Sequence, residues 1–157
     1  MQYLDFERAA TREQVSGEIA RLVEQAFLTP QQGEAVEPER IAAFFASPIG
    51  QELMASTSLR REFKFSILVP ARDYYPGAGT QEQVLLQGVV DCYFETLEGI
   101  TVVDFKTDRV TRQSVRTRAE EYRPQLEAYS RALEEITGKP VVRRVLWFFA
   151  LDQAVEL

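Results

Sequence analysis

The sequence predicts a single α/β (α+β) domain over residues 1–157, a mixed central sheet flanked by helices in the order ααα-βββ-α-β. Three observations predict it. Apolar residues recur at helical spacing in the first third of the chain and again between Tyr122 and Ile136. Runs of β-branched and aromatic residues with a two-residue period fill the middle and the end. A chain of 157 residues with 45% apolar and 27% charged positions also suits one core of ordinary size.

The elements follow in order. TREQVSGEIARLVEQAFLT places Val15, Ile19, Leu22, Val23, Ala26 and Phe27 on one helical face, with Thr11 as N-cap. QQGEAV reads as a polar turn, and PERIAAFFASPIGQELMAS as two short helices, the second opening at Ser47 with Pro48 in its first position. REFKFSILVPA alternates Phe63, Phe65 and Ile67 against Glu62, Lys64 and Ser66, the period of a strand. ARDYYPGAGTQEQ is a loop, after which VLLQGVVDCYFE and ITVVDFKT form a hairpin about the LEG turn. A loop carrying Arg109, Arg112, Arg116 and Arg118 leads to a helix with apolar positions Tyr122, Leu126, Tyr129, Leu133 and Ile136, stopped by Gly138-Lys139-Pro140. VVRRVLWFFAL supplies the last strand, and no internal repeat is present.

Composition narrows the classes. The single Cys92 has no partner for a disulfide, structural zinc or an iron–sulfur cluster, and it reads as a small buried apolar residue. No run approaches the ~18 apolar residues of a membrane helix, and MQYLDFERAATREQ lacks the basic flank and apolar run of a signal peptide. A cytoplasmic chain without a membrane partner is expected. A formal charge of -6 argues against nucleic-acid binding through overall charge while leaving room for a local basic patch.

The hairpin carries the chemistry. Asp91, Asp104 and Lys106 interrupt apolar strands, where an ionised group must be paired, bound to metal or shifted in pKa. With the turn centred on Glu98-Gly99, Lys106 lies opposite Asp91 and Asp104 opposite Tyr93. The three charges then share one face, and Val90, Cys92 and Phe94 with Val103 and Phe105 fill the other. Two carboxylates at short range call for a cation, and hard oxygen ligands suit Mg²⁺ or Mn²⁺ better than zinc. An Asp–Lys pair across two strands is also compatible with a surface ion pair worth ~0–1 kcal/mol. Gln125 borders the apolar stripe of its helix and can face the charged side of the sheet. The arginine loop is a solvated segment or a phosphate contact.

GVVD (88–91), DFKTD (104–108) and QLEAY (125–129), in this order and spacing, resemble the GxxD, DxK and QxxxY motifs of the RecB-like branch of the PD-(D/E)XK nucleases. MQYLDF, FFASPIGQELM, REFKFSILVPA followed by YYPGA, VLLQGVVDCYFE, VVDFKTD and VLWFFA are similar to the C-terminal nuclease domain of the AddA family, which belongs to the bacterial AddAB helicase–nucleases. The resemblance implies a restriction-endonuclease-like core and a Mg²⁺- or Mn²⁺-dependent exonuclease acting on single-stranded DNA during resection of double-strand breaks. Asp91 and Asp104 would be metal ligands together with the Phe105 carbonyl, and Lys106 would orient the attacking water or stabilise charge. Glu62 would support the site, while Gln125 and Tyr129 would position the DxK strand or the DNA backbone. Thr107, with Arg109, Arg112 and Arg116, would contact DNA. The implied partners are DNA, the rest of an AddA-like polypeptide and an AddB-like protein.

Two departures qualify the resemblance. The family's metal-binding histidine lies on a helix just before the MQYLDF-like segment, and this chain has no histidine. A C-terminal fragment of a larger helicase–nuclease, cut downstream of that residue, is expected in preference to a lineage that lost the ligand. There is no GxxxxGK[ST] loop, so ATP would act only through a helicase part outside these residues. The competing reading is a non-catalytic DNA-binding or structural module of a recombination complex, or an inactive truncated nuclease. A small-molecule hydrolase ranks last, because it leaves the arginine loop unexplained.

Overall fold

Alternation along five strands sorts the apolar residues onto two sides of one sheet. The computed structural model describes all 157 residues, and its sheet runs in the order β1 (Arg60–Pro70), β2 (Gln83–Glu95), β3 (Ile100–Lys106), β4 (Val141–Phe148) and β5 (Gln153–Glu156). Only β3 and β4 are parallel, and α5 (Val115–Thr137) makes the crossover between them. Ile100, Val102, Leu146 and Phe148 pack against Ala119, Leu126, Tyr129 and Leu133 of α5. Val103, Val145 and Trp147 face the opposite layer, which holds α1 (Arg12–Glu24), α2 (Pro30–Ala35), α3 (Pro38–Ala46) and α4 (Pro48–Ala55) and packs through Val15, Phe44, Phe45 and Leu53. This is the mixed α/β architecture the sequence predicts.

The helix ends follow from capping chemistry. Thr11 and Gln14 form a reciprocal capping box at α1. The Ser47 hydroxyl accepts the Gly50 N–H at the start of α4. Gly138 adopts the left-handed conformation that ends α5, at φ 70°.

Several expected elements differ. QQGEAV lies largely within α2, because Thr29 and Gln32 make a second capping box with Pro30 in the first position. The first helix ends at Glu24, Ala26 turns to φ 58°, and Phe27 leaves the core to lie against Tyr3. Arg116 and Arg118 belong to the first turn of α5 instead of the loop, and Ile136 is exposed. The short edge strand β5 is additional to the expected elements, since it buries only Val155 and shows no apolar period. Pro124 sits inside α5, where it deprives the Glu120 carbonyl of its helical donor. Its ring is exposed, and the buried stripe on the other side of the helix outweighs the loss.

The hairpin register is two residues from the expected one. Cys92 pairs with Val103 and Tyr93 with Val102, so continuing the ladder puts Asp91 opposite Asp104. The turn runs Thr96–Gly99, with the Thr96 hydroxyl accepting the Glu98 and Gly99 N–H groups. Alternation also breaks once. Val90 packs on the α5 side with Tyr93, while Cys92 and Phe94 face the helical layer, so Val90 does not share their face as expected. The β1–β2 ladder skips Glu62 opposite Asp91, and Glu62 has φ 50°. A residue of each strand thus drops out of the pairing at the same level, which frees Asp91 from the regular pleat.

Gly88 lies under Phe65 and Tyr129. A Cβ there would stand 2.7 Å from the Phe65 ring and 3.3 Å from Tyr129. Gly88→Ala should cost about 1–3 kcal/mol, lowering Tm by roughly 3–10 °C in a chain of this size. An unchanged melting curve would contradict this packing.

Candidate active site

The β2–β3 main-chain ladder ends at Cys92–Val103, and a side chain continues it. Asp91 Oδ2 accepts the Phe105 N–H at 2.9 Å. Lys106 C=O accepts the Phe149 N–H, so the main-chain groups of Lys106 turn toward β4 and those of its neighbour Phe105 toward β2. The Phe105 carbonyl therefore turns toward β2, on the side of Asp91. Asp104 is 2% exposed. Its Oδ2 lies 2.5 Å from Lys106 Nζ, a buried ion pair, and no other polar group reaches this oxygen. Burial pushes the Asp104 carboxyl up to about 6, against the pull of Lys106 and with help from the charge of Asp91.

Lys106 is 9% exposed and is held from α5. Its Nζ donates to Gln125 Oε1 at 2.9 Å, and Gln125 Nε2 donates to the Tyr129 hydroxyl at 2.7 Å. Gln125 and Tyr129 are four apart on the helix, so they share a face. Tyr129 in turn meets Phe65 edge-on above Gly88. The spacing of all three motifs thus acquires one physical reason, a path of contacts from Gly88 through α5 to Lys106.

The other expected residues are placed as follows. Glu62 kinks β1 beside Asp91 but does not join the two aspartates in a three-ligand group, and no third His, Cys, Asp or Glu does so. Thr107 and Arg109 line a cleft of about 490 Å³ together with Met1, Ile41 and Phe149. Arg112 and Arg116 are exposed. Two further residues carry no signal in the sequence. Arg61 donates to the carbonyls of Met1, Gln2 and Leu4 and lies over Phe6, a role no pattern signals because its acceptors are main-chain atoms far away in the chain. Tyr122 falls on the expected apolar stripe of its helix, yet its ring centroid is 3.8 Å from Lys106 Nζ.

The donor set fits a hard divalent cation: the Asp91 carboxylate acts on the buried Asp104 carboxylate by charge and binds the Phe105 N–H, and the Phe105 carbonyl turns to the same side of β3 as that N–H. Without metal, the arrangement costs stability. A folded-state value above the unfolded 3.8 means that the fold binds this proton more tightly. The penalty is therefore small at pH 4 and below, and it reaches roughly 3 kcal/mol as pH rises past 6. Asp104→Asn should raise metal-free stability by about 3 kcal/mol at pH 8 and by about 1 kcal/mol at pH 4.5. Urea melts showing equal effects at both pH values would contradict the assignment.

Comparison with known proteins places this geometry in a family. Residues 2–156 match the PD-(D/E)XK nuclease superfamily. The chain is 42% identical over 153 residues to the A subunit of the ATP-dependent helicase/nuclease of Acetivibrio thermocellus, covering 95% of this chain and 12% of that protein. It is 36% identical over 157 residues to the protein of the same name from Syntrophomonas wolfei, with 100% and 13% coverage. For that of Clostridium botulinum the identity is 35% over 162 residues, with 100% and 12% coverage. The chain thus spans about an eighth of the length of these relatives. With motifs, sheet and end-to-end similarity in agreement, the chain belongs to the PD-(D/E)XK nuclease superfamily, on the branch represented by the A subunits of the helicase/nucleases.

Proposed function

We propose that this domain hydrolyses phosphodiester bonds of single-stranded DNA, as the nuclease part of a longer AddA-like polypeptide that works with an AddB-like partner in the cytoplasm to resect double-strand breaks. The observation that carries the reading is the buried Asp104 carboxylate, whose Oδ2 contacts only Lys106 and which stands in the field of a second carboxylate, Asp91. Two carboxylates this close, one of them buried, call for more positive charge than one ammonium supplies. Asp91, Asp104 and the Phe105 carbonyl would hold Mg²⁺ or Mn²⁺, which when bound lowers the pKa of water and offsets phosphoryl charge.

The chain's own residues supply the rest. Gln125 accepts one of the three N–H bonds of Lys106, and others remain to orient an attacking water or to meet the charge that develops on phosphate. Burial strengthens that charge relative to its effect in water. Thr107 and Arg109 flank the same end of β3 and suit the DNA backbone, with Arg112 and Arg116 beyond them. In a longer polypeptide, helicase and ATP chemistry would belong to residues outside these. A non-catalytic module remains the second reading, favoured by the presence of only two converging carboxylates.

Cleavage of single-stranded DNA with Mg²⁺ or Mn²⁺ tests the proposal, using this chain and one extended upstream, each with Lys106→Ala. Cleavage should be present at least in the extended chain and should fall by about 10²–10³ on substitution of Lys106. Absence of cleavage in both, together with absence of metal binding by calorimetry, would establish the non-catalytic module.

A further inference from the structure

A buried ammonium on four methylenes needs more than one partner to stay in one place. Asp104 and Gln125 hold Lys106 from two sides. Tyr122, one turn before Gln125, covers it from a third, well within the ~6 Å at which a ring face attracts a cation.

The ring is itself fixed at its far end. The Tyr122 hydroxyl donates to Asp108 Oδ2 at 2.8 Å, and Arg118 donates to Asp108 Oδ1 through Nε at 2.8 Å and Nη2 at 2.6 Å. Arg118 Nη2 also donates to the Tyr122 oxygen at 3.0 Å, and its Nη1 pairs with Glu121. Asp108 is two residues past Lys106, so this cluster ties the exit of β3 to the first turns of α5. Although burial works the other way, Arg118 and Tyr122 hold the Asp108 carboxyl below the usual range and keep it ionised. An ionised carboxylate this close in the chain would compete with Asp104 for the ammonium. Saturating it with Arg118 and a phenol removes the competitor and anchors the ring together.

We infer that Tyr122 is a positioning residue for Lys106, its ring clamped by Asp108 and Arg118 so that the ammonium stays between Asp104 and Gln125. Its consequence for catalysis rests on the nuclease reading of the site, whereas the placement of Lys106 does not.

Two readouts separate these. In the chain without DNA or metal, NMR should show the Lys106 ε-methylene protons shifted upfield by the ring. Tyr122→Leu should abolish that shift, and Tyr122→Phe should retain it. In the chain that cleaves single-stranded DNA, Tyr122→Leu should lower kcat by roughly tenfold with KM little changed, and Tyr122→Phe should recover most of the loss. Asp108→Asn, which keeps the ring but loosens its clamp, should reduce both the shift and kcat, and it decides the question if Tyr122→Leu does not fold. An unchanged Lys106 shift in Tyr122→Leu or Asp108→Asn would overturn the inference. So would an unchanged kcat in variants of a protein that Lys106→Ala inactivates. Cleavage insensitive to Lys106→Ala would instead defeat the nuclease reading, with the NMR shift still deciding the positioning.

Discussion

The hydrogen bond from the Phe105 N–H to the Asp91 carboxylate replaces the next rung of the β2–β3 ladder, and the site depends on that replacement. A main-chain rung would have brought β2 against β3 and sealed the Phe105 carbonyl in the sheet. A side chain in its place keeps the strands attached while leaving room between them. The coupled break at Glu62 and Asp91 makes this possible, because it turns Asp91 out of the regular alternation without disturbing the pairing on either side. Asp104, the residue before Phe105, bonds β4 through its main chain and carries its side chain on the same face as Lys106.

Charge in such a place must be held as well as tolerated. The sheet is rigid where β3 pairs in parallel with β4, and α5 lies across it through a continuous apolar stripe. Lys106, Gln125 and Tyr129 therefore inherit their positions from packed elements, and Tyr129 bears on Phe65 above a glycine that leaves it room. Polar groups linked in this way reinforce one another in a low-dielectric setting, and losing one leaves the rest unsatisfied. Asp104 closes the network on the ammonium through Oδ2 at 2.5 Å.

Much of this is legible in the sequence because periodicity and capping are local. Thr11, Ser47 and Gly138 announce their helix ends, and the charged residues stand out against apolar strands. The pairing of Gln125 with the charged face follows from its place beside the stripe. What stays hidden depends on geometry between distant segments. The register of β2 on β3 differs by two residues from the one the turn residues suggest, a shift that preserves which face each residue takes and so leaves no trace in the pattern. The break at Asp91 needs β1 to be seen, and Arg61 acts on main-chain carbonyls. Tyr122 reads as core because a ring that covers an ammonium occupies the same helical position as one that covers a leucine. At α2 the local signals conflict, since Gly33 suggests a turn where the Thr29-Pro30 cap starts a helix.

An opened rung between β2 and β3 that serves as a divalent cation site has a direct signature in anomalous scattering from a crystal grown with Mn²⁺. A peak is expected within roughly 2–2.5 Å of carboxylate oxygens of Asp91 and Asp104 and of the Phe105 carbonyl, with Lys106 still bound to Gln125. A gap without anomalous signal at saturating Mn²⁺, with the Lys106 ammonium bridging both carboxylates, would contradict it.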